Sequence, residues 1–231
     1  MMQQIESNDI GFTGMWSNVT KLDCGILFLN QSLSDDIFFD KLAGITCVNE
    51  GMIDKTIEYF QKNNSVPYVY SLNNPELDYL LEKKGFRHYE VQYVLKRTRS
   101  ATKTNAVKIT RDNVDLWTGI FCQAYDCLDW EDPVTSILKN TLDSVDYIVD
   151  ESGSSCMALY EKNSILGLYC LGTVPSKRHN GTAASLIDFA SYYANSKNLT
   201  LILETYEKDN LLEFYSKLGF EKVYHKTVYT I

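Results

Sequence analysis

Strand-like and helix-like segments alternate along this chain, which predicts an α/β fold (α+β in stricter usage). Three observations carry that prediction. Residues 165–174 form an apolar, β-rich run. They turn through a short basic segment into a helical pattern with Leu186, Ile187, Ala190, Tyr193 and Ala194 at 3–4 residue spacing. A helix, a Gly-Phe pair and a strand follow one another twice, from Pro75 and from Asp209. Between the halves, residues 97–106 read R-T-R-S-A-T-K-T-N-A, polar and small. Taking 99–106 as a linker predicts domains over 1–98 and 107–231.

Composition narrows the function classes. At 231 residues, 45% hydrophobic and 23% charged, the chain is long enough for one large or two modest cores. No apolar run reaches bilayer length. The start, M-M-Q-Q-I-E-S-N-D, has neither a basic nor an apolar leader region, so a cytoplasmic location is expected. A net charge of -8 argues against nucleic-acid and anionic-membrane partners. Six cysteines form no C-x-x-C pair, and none of the three histidines lies within four residues of a cysteine. No metal site is expected, and most of the cysteines read as buried free thiols.

In chain order, residues 23–30 read as a buried strand. Ser32 or Ser34 is placed to cap a helix carrying Ile37, Phe38 and Leu42, with Gly44 past its end. Asn49 is placed to cap a second helix with Ile53, Ile57 and Phe60 on one face. Residues 66–72 read as a strand, Leu77, Leu80 and Leu81 as a helix closed by Gly85, and 87–96 as a strand. In the second half, 116–125 and 134–142 read as helices around an acidic, aromatic stretch, D-C-L-D-W-E-D-P. Residues 156–161 and 165–174 read as a hairpin turning at Asn163. A strand at 199–205, a helix at 211–217 closed by Gly219 and an extended end over 221–231 complete the pattern.

The segment after residue 174 has the chemistry of an anion site. A strand that turns into a helix leaves the first helical N–H groups without intrahelical partners. Gly181 permits close backbone approach, and Lys177 and Arg178 add positive charge. The segment lacks G-K-[ST] and G-x-G-x-x-G, which excludes an ATP P-loop and a dinucleotide fingerprint. It does contain R-x-x-G-x-A at Arg178, Gly181 and Ala183, after Val174 and Pro175. That arrangement resembles the acetyl-CoA pyrophosphate loop of the GCN5-related N-acetyltransferase (GNAT) superfamily. The segment F-Y-S-K-L-G-F, residues 214–220, resembles the last helix and strand of such a domain. Together these cover residues 165–231.

The resemblance implies a mixed, mostly antiparallel sheet flanked by helices, with two such domains in tandem. It implies acetyl transfer from acetyl-CoA to a primary amine of a small molecule or peptide; the alternative is a non-catalytic acyl-CoA-binding or interaction module. The cosubstrate would lie along Leu171, Gly172, Thr173 and Val174, with Gly172 marking a bulge, and the N–H groups near Leu171 would polarise the thioester carbonyl. Its pyrophosphate would meet the turn of Lys177, Arg178, His179, Asn180, Gly181, Thr182 and Ala183. Tyr215 takes the position of the family's general acid. The family's Asn, seven residues before that Tyr, is Lys208 here, with Asn210 two residues later as the candidate CoA contact. No carboxylate stands in residues 165–174, so the base is unassigned. Glu204 is a candidate that also reads as a salt-bridged or capping carboxylate. Asp126, Asp129 and Glu131, beside Trp130, suit a cationic acceptor or a solvated loop equally. In the first half, the corresponding turn, residues 44–49 (G-I-T-C-V-N), has no Lys or Arg between Lys41 and Lys55 and is followed by Glu50 and Asp54. A degenerate first domain without a cofactor loop is expected.

Overall fold

The computed structural model describes residues 1–33, 36–99 and 102–231. The elements of the first half are α1 (Met2–Trp16), β1 (Asn18–Leu22), β2 (Gly25–Leu29), β3 (Lys41–Ala43), α2 (Glu50–Lys62), β4 (Tyr68–Ser71), α3 (Pro75–Lys83) and β5 (Arg87–Arg97). There follow β6 (Val107–Lys108), α4 (Val114–Tyr125), α5 (Glu131–Thr141), β7 (Asp146–Val149), β8 (Ser155–Lys162), β9 (Ile165–Thr173), α6 (Thr182–Ser196), β10 (Thr200–Tyr206), α7 (Leu212–Lys217) and β11 (Phe220–Thr230). The fold is mixed α/β, with largely antiparallel strands and flanking helices.

The chain forms two compact units, and they do not divide at the linker expected over 99–106. The first unit comprises Asp9–Val94, Thr205–Glu213 and Lys222–Ile231. The second comprises Met1–Asn8, Leu95–Glu204 and Phe214–Glu221. Positions 100 and 101 of the expected linker lie outside the described residues. Thr104 packs with the second unit, donating from Oγ1 to the Ser185 carbonyl at 2.8 Å.

In the first unit, β1 and β2 pair antiparallel, as do β2 and β3; β3 runs parallel to β4, and β4 pairs antiparallel with β11. Strand β11 thus pairs with an element more than 130 residues upstream: Thr227 faces Ser71 and Tyr229 faces Val69. Its core joins Leu42, Ile53, Phe60, Val69, Leu77 and Leu81. Asn49 caps α2, its side chain accepting from the Met52 N–H at 3.1 Å. Gly85 closes α3 with φ 91°, a left-handed conformation open to glycine at no Cβ cost.

One expectation fails in this unit. No α-helix spans Ile37 to Leu42: Gln31–Leu33 is a single 3-10 turn and Leu42 lies on β3. Ser34 lies outside the described residues. The Asp36 carboxylate accepts from the N–H groups of Phe38 and Phe39 at 2.8 and 3.1 Å, a local turn that competes with helix. Cys24 and Cys47 are bridged as a disulfide, Cα atoms 5.3 Å apart, while the other four cysteines are free and three of them buried. The fold brings together cysteines 23 residues apart, on either side of β2 and β3.

In the second unit, β6, β7, β8 and β9 pair antiparallel in sequence, and β9 runs parallel to β10. The β8–β9 hairpin turns on Asn163 and Ser164, both at positive φ (52° and 64°), the conformation that matches strand twist in a two-residue loop. Trp117 of α4 is fully buried, stacks on Phe121 with centroids 5.0 Å apart, and donates Nε1–H to the Met157 carbonyl at 2.9 Å. From α6, Leu186, Ile187, Ala190 and Ala194 are buried, the helical stripe that the spacing predicts. Asn8 is fully buried here and binds the hairpin. Its Nδ2 donates to the carbonyls of Tyr160 (3.0 Å) and Ile165 (3.2 Å), and its Oδ1 accepts from Tyr169 (2.7 Å). A Cβ at Gly167 would collide with Asn8 Oδ1, which is why the strand carries glycine there.

Candidate cosubstrate cleft in the second unit

The parallel pairing of β9 and β10 runs from Ile165–Thr200 to Leu168–Leu203, after which β9 continues to Thr173 and β10 to Tyr206. Against β8, the register slips at the same level: Cys156 faces Gly172 and Ala158 faces Tyr169. Cys170 and Leu171 therefore oppose Met157 alone, a β-bulge, with Cys170 at φ 53°. The bulge sits at Cys170–Leu171, just before Gly172. The glycine has a different reason: a Cβ at 172 would lie 2.7 Å from Ala124 Cβ and 2.9 Å from the Tyr125 ring. The end of α4 packs directly on the strand there, and Tyr125 donates its hydroxyl to the Leu171 carbonyl at 3.0 Å.

After β9, Pro175–Lys177 form one 3-10 turn, held by Lys177 N–H to Val174 O at 2.8 Å. His179 and Gly181 take left-handed backbone conformations (φ 66° and 78°), and α6 starts at Thr182. Gly181 is its N-cap and supplies no side-chain bond to the first turn; a Cβ there would meet nothing within 4 Å. Lys177, Arg178, His179, Asn180 and Gly181 are exposed, and Val174, Thr182 and Ala183 half-buried. The start of α6 is thus an open anion-binding geometry: N–H groups, the positive end of a 15-residue helix and clear space in front.

Arg178 does not extend into that space. Its Nε donates to Thr173 O at 3.2 Å and its Nη2 to Ala124 O at 3.1 Å, so the guanidinium ties the loop to β9 and to the end of α4. Asn180 donates to Lys177 O at 3.1 Å, inside the loop. Lys177 is the exposed cation that the loop presents. Beneath it, Ser155 Oγ lies 2.8 Å from Thr173 Oγ1 and 2.7 Å from Thr182 Oγ1, joining β8, β9 and α6. Ser155 is placed in turn by Asp150, whose carboxylate accepts from the N–H groups of Ser154 (2.8 Å) and Ser155 (2.5 Å) and from Ser152. Burial pushes the Asp150 carboxyl up, but the Ser152 hydroxyl and these N–H groups outweigh it and hold it below the usual carboxylate range.

The remaining expected residues are placed as follows. Glu204 is the first residue of β10 beyond the parallel pairing and is half-buried. Tyr215 lies on α7, 6% exposed, its ring 5.8 Å from Phe220 and 5.2 Å from Phe214. Asn210 belongs to the first unit and has φ 53° at the end of the 3-10 turn Glu207–Asp209. Asp126 closes α4 in a left-handed conformation, and Asp129, Trp130 and Glu131 continue into a 3-10 turn and α5. Cys122 and Cys156 are fully buried; burial pushes the Cys122 thiol up to about 12 and raises that of Cys156, so neither is a nucleophile at neutral pH. Sequence reasoning missed Tyr125, Ser155 and Asp150. The S-G-S-S run after Asp150 was the available signal for a carboxylate-centred turn.

No protein-family model matches this chain, and no curated protein matches it. Solved structures do. A GCN5-related N-acetyltransferase from Kribbella flavida shares 15% identity over 98% of this chain and 93% of its own, with a TM-score of 0.66. One from Sphaerobacter thermophilus shares 10% identity over 99% and 90%, with a TM-score of 0.68. A tandem GNAT protein from the clavulanic acid biosynthesis pathway shares 10% identity over 90% and 78%, with a TM-score of 0.59. The chain has the fold of the GCN5-related N-acetyltransferases. Among the described residues, no helix is long and apolar enough to cross a membrane.

Proposed function

We propose that the second unit binds acetyl-CoA at the end of β9 and the start of α6 and transfers its acetyl group to a primary amine of a small molecule or peptide. The observation that carries this reading is the uncapped start of α6 beside a strand that bulges and leaves its parallel partner. The helix start suits a pyrophosphate, received by the N–H groups of Thr182 and Ala183 with Gly181 giving close approach. The strand edge over Leu171, Gly172 and Thr173 suits the amide-bearing arm as an added strand. Backbone N–H groups near Leu171 are assigned to the thioester carbonyl. Tyr215 is assigned as the acid that protonates the departing thiolate, and Glu204 as the candidate base. The acidic, aromatic stretch of Asp126, Asp129, Trp130 and Glu131 is assigned to a cationic acceptor. We assign the first unit a structural or substrate-shaping part, as a degenerate domain without its own cosubstrate, in the cytoplasm.

Titration with acetyl-CoA tests the reading. One saturable site per chain is expected, lost in Ala183→Glu. That variant introduces a carboxylate where the helix dipole favours it, so the helix survives while phosphate is repelled. No binding by the unaltered chain overturns the reading, and two sites per chain overturn the assignment of the first unit. Burial of Tyr215 favours the non-catalytic alternative. Release of free CoA thiol with amine acceptors, slowed at least tenfold in Tyr215→Phe, decides for the enzyme.

A further inference from the structure

A second basic site lies on the second unit, away from the start of α6. A cavity of about 180 Å³ is lined by Lys96, Arg97, Thr98, Arg99, by Ser191 and Asn195 of α6, and by Leu199, Thr200 and Leu201 at the entry to β10. Ser191 is nine residues along α6 from Thr182, roughly 13 Å at 1.5 Å per residue. Three of the nine lining residues are cations and none is an acid, in a protein of net charge -8.

Arg97 is the informative residue. Its side chain is 3% exposed, and its Nη2 is paired with Asp188 at 2.5 Å. Its Nε and Nη1 are buried and have no hydrogen-bond partner among the described residues. The guanidinium lies over Phe220, Cζ 5.8 Å from the ring centroid, a contact that accommodates charge but accepts no N–H bond in the guanidinium plane. A buried, charged donor left unsatisfied is costly, so an acceptor brought to this cavity regains interactions the fold leaves open. The charge balance sets its sign. Lys96, Arg97 and Arg99 against Asp188, and against Glu221, whose carboxylate accepts from Thr98 Oγ1 at 3.1 Å, leave one positive charge in excess. The carbonyl ends of the last turn of α6 offset part of that, about half an elementary charge.

We propose that this cavity binds a small anion of the phosphate class, independently of the cleft at the start of α6. Arg97 supplies the buried charge. Arg99 supplies an exposed charge and Lys96 a half-buried one, and the hydroxyls of Ser191 and Thr200 suit the phosphate oxygens.

The test is a titration of the full chain with inorganic phosphate at constant ionic strength, followed by heteronuclear NMR. The Ala183→Glu variant is titrated beside it to remove phosphate held at the start of α6. Saturable shifts at Arg97, Ser191 and Thr200 that persist in Ala183→Glu are expected. Arg99→Glu, which at the surface gives up a 3.5 Å bond to the Lys217 carbonyl, should weaken the phosphate affinity at least tenfold, and Arg97→Gln at least as much. The proposal is overturned if phosphate shifts only the residues at the start of α6, or if chloride at the same ionic strength produces the same shifts. It is equally overturned if Arg99→Glu binds as tightly as the unaltered chain. None of these outcomes depends on acetyl-CoA binding, so they separate from a failure of the cosubstrate reading.

Discussion

Each unit contains a strand, a turn, a helix and a parallel strand: β3–α2–β4 in the first and β9–α6–β10 in the second. The two differ at the first turn of the helix. In α2, Asn49 fills the N-cap, and Glu50 follows at once, bound to Lys84 at 2.9 Å. The helix end is satisfied by its own chain, and the preceding turn carries Cys47, bridged to Cys24. In α6, Gly181 fills the N-cap without a side-chain bond, the first turn has no acid, and Arg178 holds the loop from outside. The same supersecondary unit is closed by an asparagine and opened by a glycine. An anion site is therefore made as much by what the cap withholds as by the basic residues near it.

The contrast extends to charge. The first unit buries two cations against one acid: Lys41 and Lys226 both contact Asp9, at 3.0 and 2.8 Å, and all three are at most 2% exposed. Burial raises the Asp9 carboxyl, but Lys226 and then Lys41 outweigh it, and the group lies well below the usual carboxylate range. The largest effect is therefore expected from Asp9→Asn, which strands two buried ammonium groups. It should lower stability in urea by about 3–5 kcal/mol. Asp9 stabilises above its unfolded pKa of about 4, and that contribution is lost as pH falls through its lower folded value. The deficit of the variant should be full at pH 7 and should shrink in strong acid. An effect under about 1 kcal/mol would break the idea that this unit depends on internal pairing.

Next in size is Ala183→Glu, expected to weaken acetyl-CoA at least 100-fold, about 2.7 kcal/mol. The mirror change Asn49→Gly with Glu50→Ala should create no CoA binding in the first unit, since the Gly44–Asn49 turn carries no cation. A gain of binding would show that the cap alone decides. Asp150→Asn is expected to cost about 2 kcal/mol by weakening the turn under Ser155. Its carboxyl is lowered, so the difference should be present above about pH 4 and close as pH falls through the folded value. Smallest is Asn49→Ala, about 1 kcal/mol of stability in thermal unfolding, with unchanged acetyl-CoA affinity. A fall in affinity there would break the separation between the two helix ends.

Much of this was legible in the residues. The Asn49 cap, the glycines closing α3 and α7, the Asn163 hairpin and the turn before α6 all rest on local chemistry that acts over a few residues. Helix α1 was not seen because its buried face mixes Ile5, Phe12 and Trp16 with Asn8, Asp9 and Thr13, which hides the apolar period. Leu42 reads as helical in the sequence because a three-residue strand has too few residues to show a period of two. The role of Arg178 as a brace was invisible because its partners are carbonyls, and every residue has one. The partner of β11 was invisible for a related reason: alternation shows that a strand has two faces and leaves its neighbour open.

That last strand has a consequence for the birth of the molecule. The first unit includes Lys222–Ile231 and pairs Asp9 with Lys226 across 217 positions. A ribosome adds about 5–20 residues per second, so roughly 7 to 30 seconds separate the emergence of β4 from that of its partner β11. The half of the protein made first is the half finished last. Through that interval the nascent β4 edge is open to whatever strand it meets, and a chaperone that shields it would be expected to matter more in the cell than for refolding of the released chain.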